Sequence, residues 1–281
     1  MNMFKSGVNT LLARFGFELR RKPSALAVAT PTKTIRSAAR ASFVEGLAQV
    51  KQVGFEPATI VDVGAAHGNF TRACLSLFPN ARYLVVEPLI EFRAGLQALA
   101  SEHQNVTFEN VAAGTQDGTA TFHVHRDWDG SSLYRETEGA QVDGVERTVP
   151  LRSLDSLAAQ YQLPAPYLIK VDVQGAELDV LRGGLNTLRG CEYVLLEVAM
   201  YQFFVGGPQF ADVVEFMHAR NFAAYDIFGT LYRPLDNALS QVDMAFVRAD
   251  GIFRQHHIYA TPEQRSAQNQ QFEAYHKNQL E

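Results

Sequence analysis

The stretch T-I-V-D-V-G-A-A-H-G-N-F-T, residues 59–71, decides how the rest of the chain is read. Ile60 to Val63 reads as a short apolar strand that runs into a turn with glycines at Gly64 and Gly68, followed by a helix-like run. A second apolar strand, Tyr83 to Val86, ends on Glu87, 23 residues after Gly64. This geometry suits a nucleoside cofactor. A turn without side-chain bulk lets the cofactor approach the backbone, and the acid can accept hydrogen bonds from both ribose hydroxyls.

Spacing narrows the choice of cofactor. A nicotinamide-binding turn would show G-x-G-x-x-G. Here Gly64-Ala65-Ala66-His67-Gly68 lacks the middle glycine, and Asp62 stands two residues before the turn. A D-x-G-x-x-x-G turn with an acid at the end of the next strand is the pattern used by S-adenosylmethionine-dependent methyltransferases. Another nucleotide binder and a structural turn are the competing readings. His67 reads either as a loop residue near the cofactor's amino-acid tail or as a plain surface residue. Asn110-Val111-Ala112-Ala113-Gly114 follows the third strand, where backbone groups can read an adenine edge; the alternative is a simple strand exit.

Outward from the turn, strands and helices alternate. The pattern predicts strands at 59–63, 83–87, 106–110, 167–173, 192–198, 222–228 and 241–248. Helices are predicted at 34–53, 69–77, 89–101, 153–161, 175–188 and 209–220. The runs Y-L-I-K-V-D-V and E-Y-V-L-L-E-V are near-continuously apolar, as strands covered on both faces must be. Alternation argues for an α/β fold with a mostly parallel sheet, and two final strands without a helix between them imply a terminal antiparallel hairpin. Residues 119–125 and 145–149 suggest an inserted strand pair, joined by a polar loop at 126–144 long enough to serve function. The domain is expected over 34–250, with extensions at 1–33 and 251–281. Thr261-Pro262-Glu263-Gln264 is a capping-box signature for a last, polar helix reaching about 278.

A second candidate site is Lys170-Val171-Asp172-Val173-Gln174-Gly175-Ala176-Glu177. Asp172 ends a buried strand, where ligands of open α/β sheets sit. An acid there is costly to bury unless it meets a partner or ligand; capping the next helix is the structural alternative. Glu197 holds a similar place on the following strand. Together the two carboxylates could orient an acceptor hydroxyl or hold a divalent cation, although no metal site is predicted. Pairing of Glu197 with a cation such as Lys170 is the competing reading. Trp128, in the 126–144 loop, reads as an aromatic platform or as a loop anchor.

Composition bounds the rest. The 281 residues are 47% hydrophobic and 20% charged, which fits an ordinary globular protein. A net charge of −5 offers no global basic field for nucleic acid. Cys74 and Cys191 stand in apolar contexts without metal-ligand spacing, and read as buried thiols of a reducing compartment. No apolar run approaches the ~18 residues of a membrane span, and the N-terminus lacks a secretory signal, so a cytoplasmic location is expected. The first forty residues carry eight lysines and arginines against Glu18 alone. Met3, Phe4, Val8, Leu11, Leu12 and Phe15 recur at helical spacing there, which predicts a basic amphipathic helix. It could rest on an anionic membrane surface, pack on the domain, or form a loose tail. Pro23 to Pro31 reads as a linker.

Five segments in order resemble one family. D-V-G-A-A-H-G-N-F, V-V-E-P, N-V-A-A-G-T-Q-D-G-T-A-T-F, V-P-L-R-S-L-D-S-L and I-K-V-D-V-Q-G-A-E-L-D-V-L-R-G-G are similar to the FkbM-type S-adenosylmethionine-dependent methyltransferases over roughly residues 57–248. The resemblance implies a class I methyltransferase (Rossmann-like) three-layer sandwich with a seven-stranded sheet. It also implies O-methylation of a hydroxyl on a saccharide, glycan or related natural product. By the same resemblance Gly64, Ala65 and Gly68 would line the methionine end of the cofactor and Glu87 would bind the ribose. Pro88, Val111 and Ala112 would border the adenine, and Asp172 would face the reacting methyl. Members commonly carry Glu where this chain has Gln174, a loss of charge that weakens the case for a metal. The resemblance names no general base. Asp172, helped by Glu197, His123 or His125, is the residue reading. A nicotinamide oxidoreductase and a catalytically degenerate binding module are the rival functions.

Overall fold

The computed structural model describes residues 40–280; the predicted basic helix and the linker lie outside the described residues. In chain order the elements begin α1 (Phe43–Gln52), β1 (Thr59–Val63), α2 (Asn69–Leu77), β2 (Arg82–Val86), α3 (Ile90–Glu102) and β3 (Val106–Glu109). Next come β4 (Ala112–Ala113), β5 (Gly118–Val124), β6 (Val145–Arg152), α4 (Leu154–Gln160) and β7 (Tyr167–Val171). Then follow α5 (Glu177–Arg182), α6 (Leu185–Arg189), β8 (Cys191–Ala199), α7 (Phe210–His218), β9 (Phe222–Tyr232), β10 (Leu239–Arg248) and α8 (Pro262–Leu280).

Seven strands form one sheet in the order β3-β2-β1-β7-β8-β10-β9. The first five are mutually parallel, and β10 runs antiparallel to both its neighbours. The predicted terminal hairpin is present, with the last strand inserted between β8 and β9. Strand side chains alternate between two buried clusters, which makes the sheet the middle of three layers. Val61, Val86, Ile169, Val194 and Leu196 join the cluster that also holds Leu157, Leu181, Leu188 and Met217 of α4 to α7. Ile60, Tyr83, Val85, Leu168 and Leu195 join the cluster built with Leu47, Phe70, Cys74 and Leu96 of α1 to α3. Burying each such aliphatic side chain is worth about 1.5–3 kcal/mol, so the continuous apolar strands dictate this arrangement.

The inserted pair is real and is joined by β4, giving a small sheet in the order β4-β6-β5. The predicted helix at 175–188 breaks into α5 and α6. The break falls at Gly183-Gly184; a Cβ on Gly183 would stand 2.0 Å from the carbonyl oxygen of Gly114, so glycine lets the chain pack closely there. Both cysteines are buried free thiols.

This compact unit ends at Tyr259, beyond the expected boundary at 250. Phe253 explains the extra length, since its ring packs edge-on or tilted against Phe55, Tyr193 and Tyr225. Considered by itself, α8 begins with the predicted capping box. Thr261 Oγ accepts the Gln264 N–H at 3.2 Å, and Gln264 Oε1 accepts the Thr261 N–H at 2.9 Å. Among the described residues no helix is long and apolar enough to cross a membrane.

Candidate active site

Register places the candidate residues. Val63 pairs with Val86 on one side and Val171 on the other, and Val171 pairs with Leu196. Each strand's next residue therefore falls in a single row along the carboxyl edge of the sheet: Glu87, Gly64, Asp172 and Glu197. Asp243 of the antiparallel β10 pairs with Glu197 and extends the row. Four acids thus meet at one edge, and a cleft of about 400 Å³ opens over it. Gly64, Ala66, Glu87, Pro88, Val111, Ala112, Asp172 and Glu197 line this cleft, with Phe92, Phe122 and Trp128 as aromatic walls.

The glycine turn is fixed by backbone. Gly64 adopts φ 72°, and a Cβ there would lie 1.7 Å from the Asp172 carbonyl oxygen, so only glycine fits. Its N–H donates to Val86 O at 3.0 Å. Glu87 closes the turn: its carboxylate accepts the Ala66 N–H at 3.0 Å and the Leu89 N–H at 2.9 Å. Burial pushes Glu87 up to about 7 against these two hydrogen bonds. Asn110 donates its amide N–H to the carbonyls of Glu87 at 2.8 Å and Pro88 at 3.1 Å, so its side chain braces the turn.

Lys170 supplies the positive charge beneath the row. Its ammonium donates to Gly64 O at 2.9 Å and pairs with Asp172 at 3.2 Å and Asp62 at 3.6 Å. Burial lowers its pKa, but Asp172 and Asp62 outweigh that and leave it raised. Asp62 is fully buried and also accepts the Thr71 hydroxyl at 2.6 Å, so it sits below the cleft and ties β1 to α2. Lys170 therefore pairs with Asp172 and Asp62, and no ion pair joins it to Glu197 among the described residues.

Asp172 and Glu197 are joined by an amide. Gln174 donates to Asp172 Oδ1 at 3.1 Å and to Glu197 Oε2 at 2.6 Å, while Gln241 donates to Glu197 Oε1. Burial, then the nearby Asp172, Glu177 and Asp243 carboxylates, hold Glu197 well above the ordinary carboxylate range. Burial and Asp172 likewise push Asp243 up to about 6. Glu177 is pushed up to about 7 by burial, and accepts the N–H groups of Val173 at 3.2 Å and Gly175 at 3.0 Å. It holds the 172–176 turn in shape. Among the described residues, no group of three or more His, Cys, Asp or Glu is arranged to hold a metal ion.

A second cleft of about 400 Å³ adjoins the first. Gln174, Glu197, Leu231 and Gln241 line both, so Glu197 stands where the two meet. Glu136 and Glu138 of the long loop, Tyr201, Phe203 and Tyr232 form its other walls. The loop is tied down at Ser132, whose hydroxyl donates to Gln174 O at 2.6 Å.

Several sequence candidates stand off the cleft. Ala65, His67, Gly68 and Asn110 support the turn without lining it. His67 is exposed, its ring edge-on to Phe92 at 4.7 Å. Phe92 in turn meets Trp128 at 5.9 Å, so the tryptophan is both cleft wall and loop anchor. His123 and His125 line neither cleft; each has a buried ring nitrogen without a hydrogen-bond partner. Sequence reasoning missed Gln241, Asp243, Phe92, Phe122 and the tyrosines of the second cleft. Asp243 alone carried a signal, as an acid inside an apolar strand like Asp172.

Known proteins resemble the chain. A family model described as Methyltransferase FkbM domain matches residues 62–224. Over 160 residues the chain is 28% identical to the 2-O-methyltransferase NoeI of Sinorhizobium fredii, covering 52% of this chain and 65% of that protein. Over 51 residues it is 39% identical to the hexuronic acid methyltransferase AglP of Haloferax volcanii, covering 18% of this chain and 21% of that one. The matched stretches thus span less than two thirds of either relative. A solved methyltransferase FkbM from Methylobacillus flagellatus aligns over 66% of this chain and 43% of its own, with 15% identity and a TM-score of 0.40.

Proposed function

The chain belongs to the FkbM methyltransferase family, and on that premise we propose that it is an S-adenosylmethionine-dependent O-methyltransferase acting on a hydroxyl of a saccharide, glycan or related natural product. The observation that carries this reading is Glu197 at the junction of two clefts, one ending on the glycine turn and Glu87, the other open to an acceptor. O-methylation is supported by one relative, a 2-O-methyltransferase, and a sugar-derived acceptor by another, a hexuronic acid methyltransferase that matches 18% of this chain.

The residues present suit the cofactor. Gly64 leaves the turn without side-chain bulk. Each Glu87 oxygen accepts one backbone hydrogen bond in the structure, which leaves acceptor capacity on both for a ribose diol. Pro88, Val111, Ala112 and Phe92 provide apolar walls for a base. Bound there, S-adenosylmethionine supplies an electrophilic methyl on a sulfonium, so the protein's task is mainly positioning and exclusion of water.

The chain's own residues act on the acceptor. A hydroxyl is a weak nucleophile and benefits from a base as it attacks. Glu197, at the junction of the two clefts, takes the hydroxyl proton at a carboxylate oxygen in its ionised form. Gln174 fixes that carboxylate relative to Asp172. Asp172, paired with Lys170 at 3.2 Å, stands beside the turn, where its carboxyl group would face a cationic cofactor. Labelled methyl transfer from S-adenosylmethionine to a host glycan extract tests the proposal, alongside calorimetric titration with S-adenosylhomocysteine and with NAD. Binding of S-adenosylhomocysteine with label in the glycan fraction is expected. Binding without any transfer would favour a degenerate binding module, and binding of NAD instead would end the proposal.

A further inference from the structure

We propose that the second cleft is the acceptor subsite and that it selects neutral or cationic sugars against anionic ones. This rests on the methyl-transfer reading above and adds the charge class of the substrate.

Position comes first. Whatever occupies this cleft touches Glu197 and Gln174, which also line the cofactor cleft. The wall chemistry comes second. Tyr201 and Tyr232 are 37% and 52% exposed, and both line the cleft. Flat aromatic area beside hydrogen-bonding carboxylates and amides matches a sugar ring, which has apolar C–H faces and a rim of hydroxyl donors.

Charge comes third. Glu136, Glu138 and Glu197 contribute carboxyl groups to this cleft. Burial, then the nearby Glu138, Asp143 and Asp127, raise the Glu136 pKa, which reports crowding of like charge on this side of the loop. The neighbouring cations are already committed. Arg233, on the cleft wall, donates twice to Asp236, at 2.8 and 2.7 Å, and its guanidinium stands over the Tyr201 ring at 3.9 Å. Arg135 is bound to Asp143 at 2.9 Å. Among the described residues, no ion pair joins Glu136, Glu138 or Glu197 to a cation. A sugar carboxylate or phosphate entering here would meet several carboxyl groups and, among the described residues lining the cleft, one cation, Arg233, already paired with Asp236; the balance is discrimination by repulsion. Sugar hydroxyls instead find acceptors, and an amino-sugar ammonium finds counter-charge.

The test uses the full chain loaded with S-adenosylhomocysteine, and three methyl glycosides of one ring: glucoside, glucosaminide and glucuronide. Saturation-transfer NMR titrations read their affinities. Glucoside and glucosaminide are expected to bind, with glucuronide weaker by about tenfold or more, equivalent to about 1.4 kcal/mol. The E136Q/E138Q double variant should shrink that gap to about threefold or less, and Tyr232→Ala should weaken all three sugars. Glucuronide binding as tightly as glucoside, a gap unmoved by E136Q/E138Q, or no sugar bound at all would each overturn the inference. Cofactor titration on the same samples separates the two levels. Loss of S-adenosylhomocysteine binding counts against the methyl-transfer reading, whereas retained binding with the wrong sugar order counts only against the charge selection.

Discussion

On the cofactor side of Glu197, the walls are strand ends held by backbone. Gly64 donates to Val86 O at 3.0 Å, Glu87 donates its N–H to Glu109 O at 3.1 Å, and Asp172 donates its N–H to Val63 O at 3.1 Å. On the side we assign to the acceptor, the walls come largely from separate segments outside the main sheet, joined by isolated backbone bridges (Thr137 N–H to Phe203 O and Val205 N–H to Arg135 O, both 2.8 Å) and by side chains. Ser132 ties the loop to Gln174, Tyr134 donates its hydroxyl to Asp179 at 2.7 Å, and Gln241 reaches Glu197. One half inherits its precision from sheet register, the other largely from isolated bridges and side-chain contacts outside the main sheet. A scaffold of this kind can alter its acceptor without disturbing the cofactor half.

The sharpest test of that asymmetry is a pair of glycine substitutions. Gly64→Ala forces a Cβ against Asp172 O at a left-handed backbone, and should cost about 3 kcal/mol or more with loss of S-adenosylhomocysteine binding. Gly206, beside the acceptor cleft, has a similar φ of 79° but nothing within 4 Å of an added Cβ. Gly206→Ala should cost only about 1 kcal/mol and spare cofactor binding. Thermal unfolding and calorimetry read both. Equal losses would break the comparison.

Next in size is the junction itself. Glu197→Gln should lower kcat by about 10² to 10⁴ while cofactor affinity moves by less than about twofold. Asp172→Asn should lower turnover and also weaken the cationic cofactor relative to S-adenosylhomocysteine, because Asp172 lies on the cofactor side. A fully active Asp172→Asn enzyme would remove Asp172 from the chemistry.

The same division explains what could be read from the chain. Gly64, Glu87 and Asp172 were legible because each directly follows the last residue of an apolar strand, and Glu197 because it is an acid inside one. A local pattern therefore announces a global row. Seven strands and the terminal hairpin followed from the same periodicity. The acceptor half had no such marker. Tyr201 and Tyr232 sit in irregular or edge segments, and only the insertion of β10 beside β8 brings Gln241 to Glu197. His123 and His125 were misleading for a related reason. Their residue type suggested chemistry, but neither lines the cleft, and each carries a buried ring nitrogen without a hydrogen-bond partner. The split between α5 and α6 was hidden because it falls where Gly183 packs on the Gly114 carbonyl, a contact from about seventy residues earlier that no local pattern announces.

A smaller effect separates two acids with similar titration. Glu87 and Glu177 are both pushed up to about 7 by burial. A raised carboxyl pKa stabilises the fold below its unfolded value, and that contribution is lost as pH rises from about 4.5 to about 7. Both residues should therefore make the free protein less stable across this window. Only Glu87 faces the cofactor cleft, and its ionised form accepts ribose hydroxyls best. Affinity for S-adenosylhomocysteine should thus rise between pH 6 and pH 8 by about tenfold or less, and Glu87→Gln should flatten the profile. Glu177→Gln should leave the slope in place. A flat wild-type profile would remove Glu87 from ribose binding.

The mildest expected change tests whether the acceptor half is held by single contacts. The Ser132 hydroxyl donates to Gln174 O at 2.6 Å and accepts the Tyr134 N–H at 2.9 Å, in a fully buried position. Ser132→Ala leaves both groups unpaired at a cost of about 1–3 kcal/mol. Gln174 sits at a left-handed φ of 55°, so its turn depends on such support. Loosening it moves the amide that aligns Asp172 and Glu197 while leaving the Gly64 turn on its own backbone bonds. Acceptor KM should rise by about three- to tenfold with cofactor affinity unchanged. A parallel loss of cofactor binding would mean that the two halves are one mechanical unit, and that acceptor choice cannot drift independently of the turn.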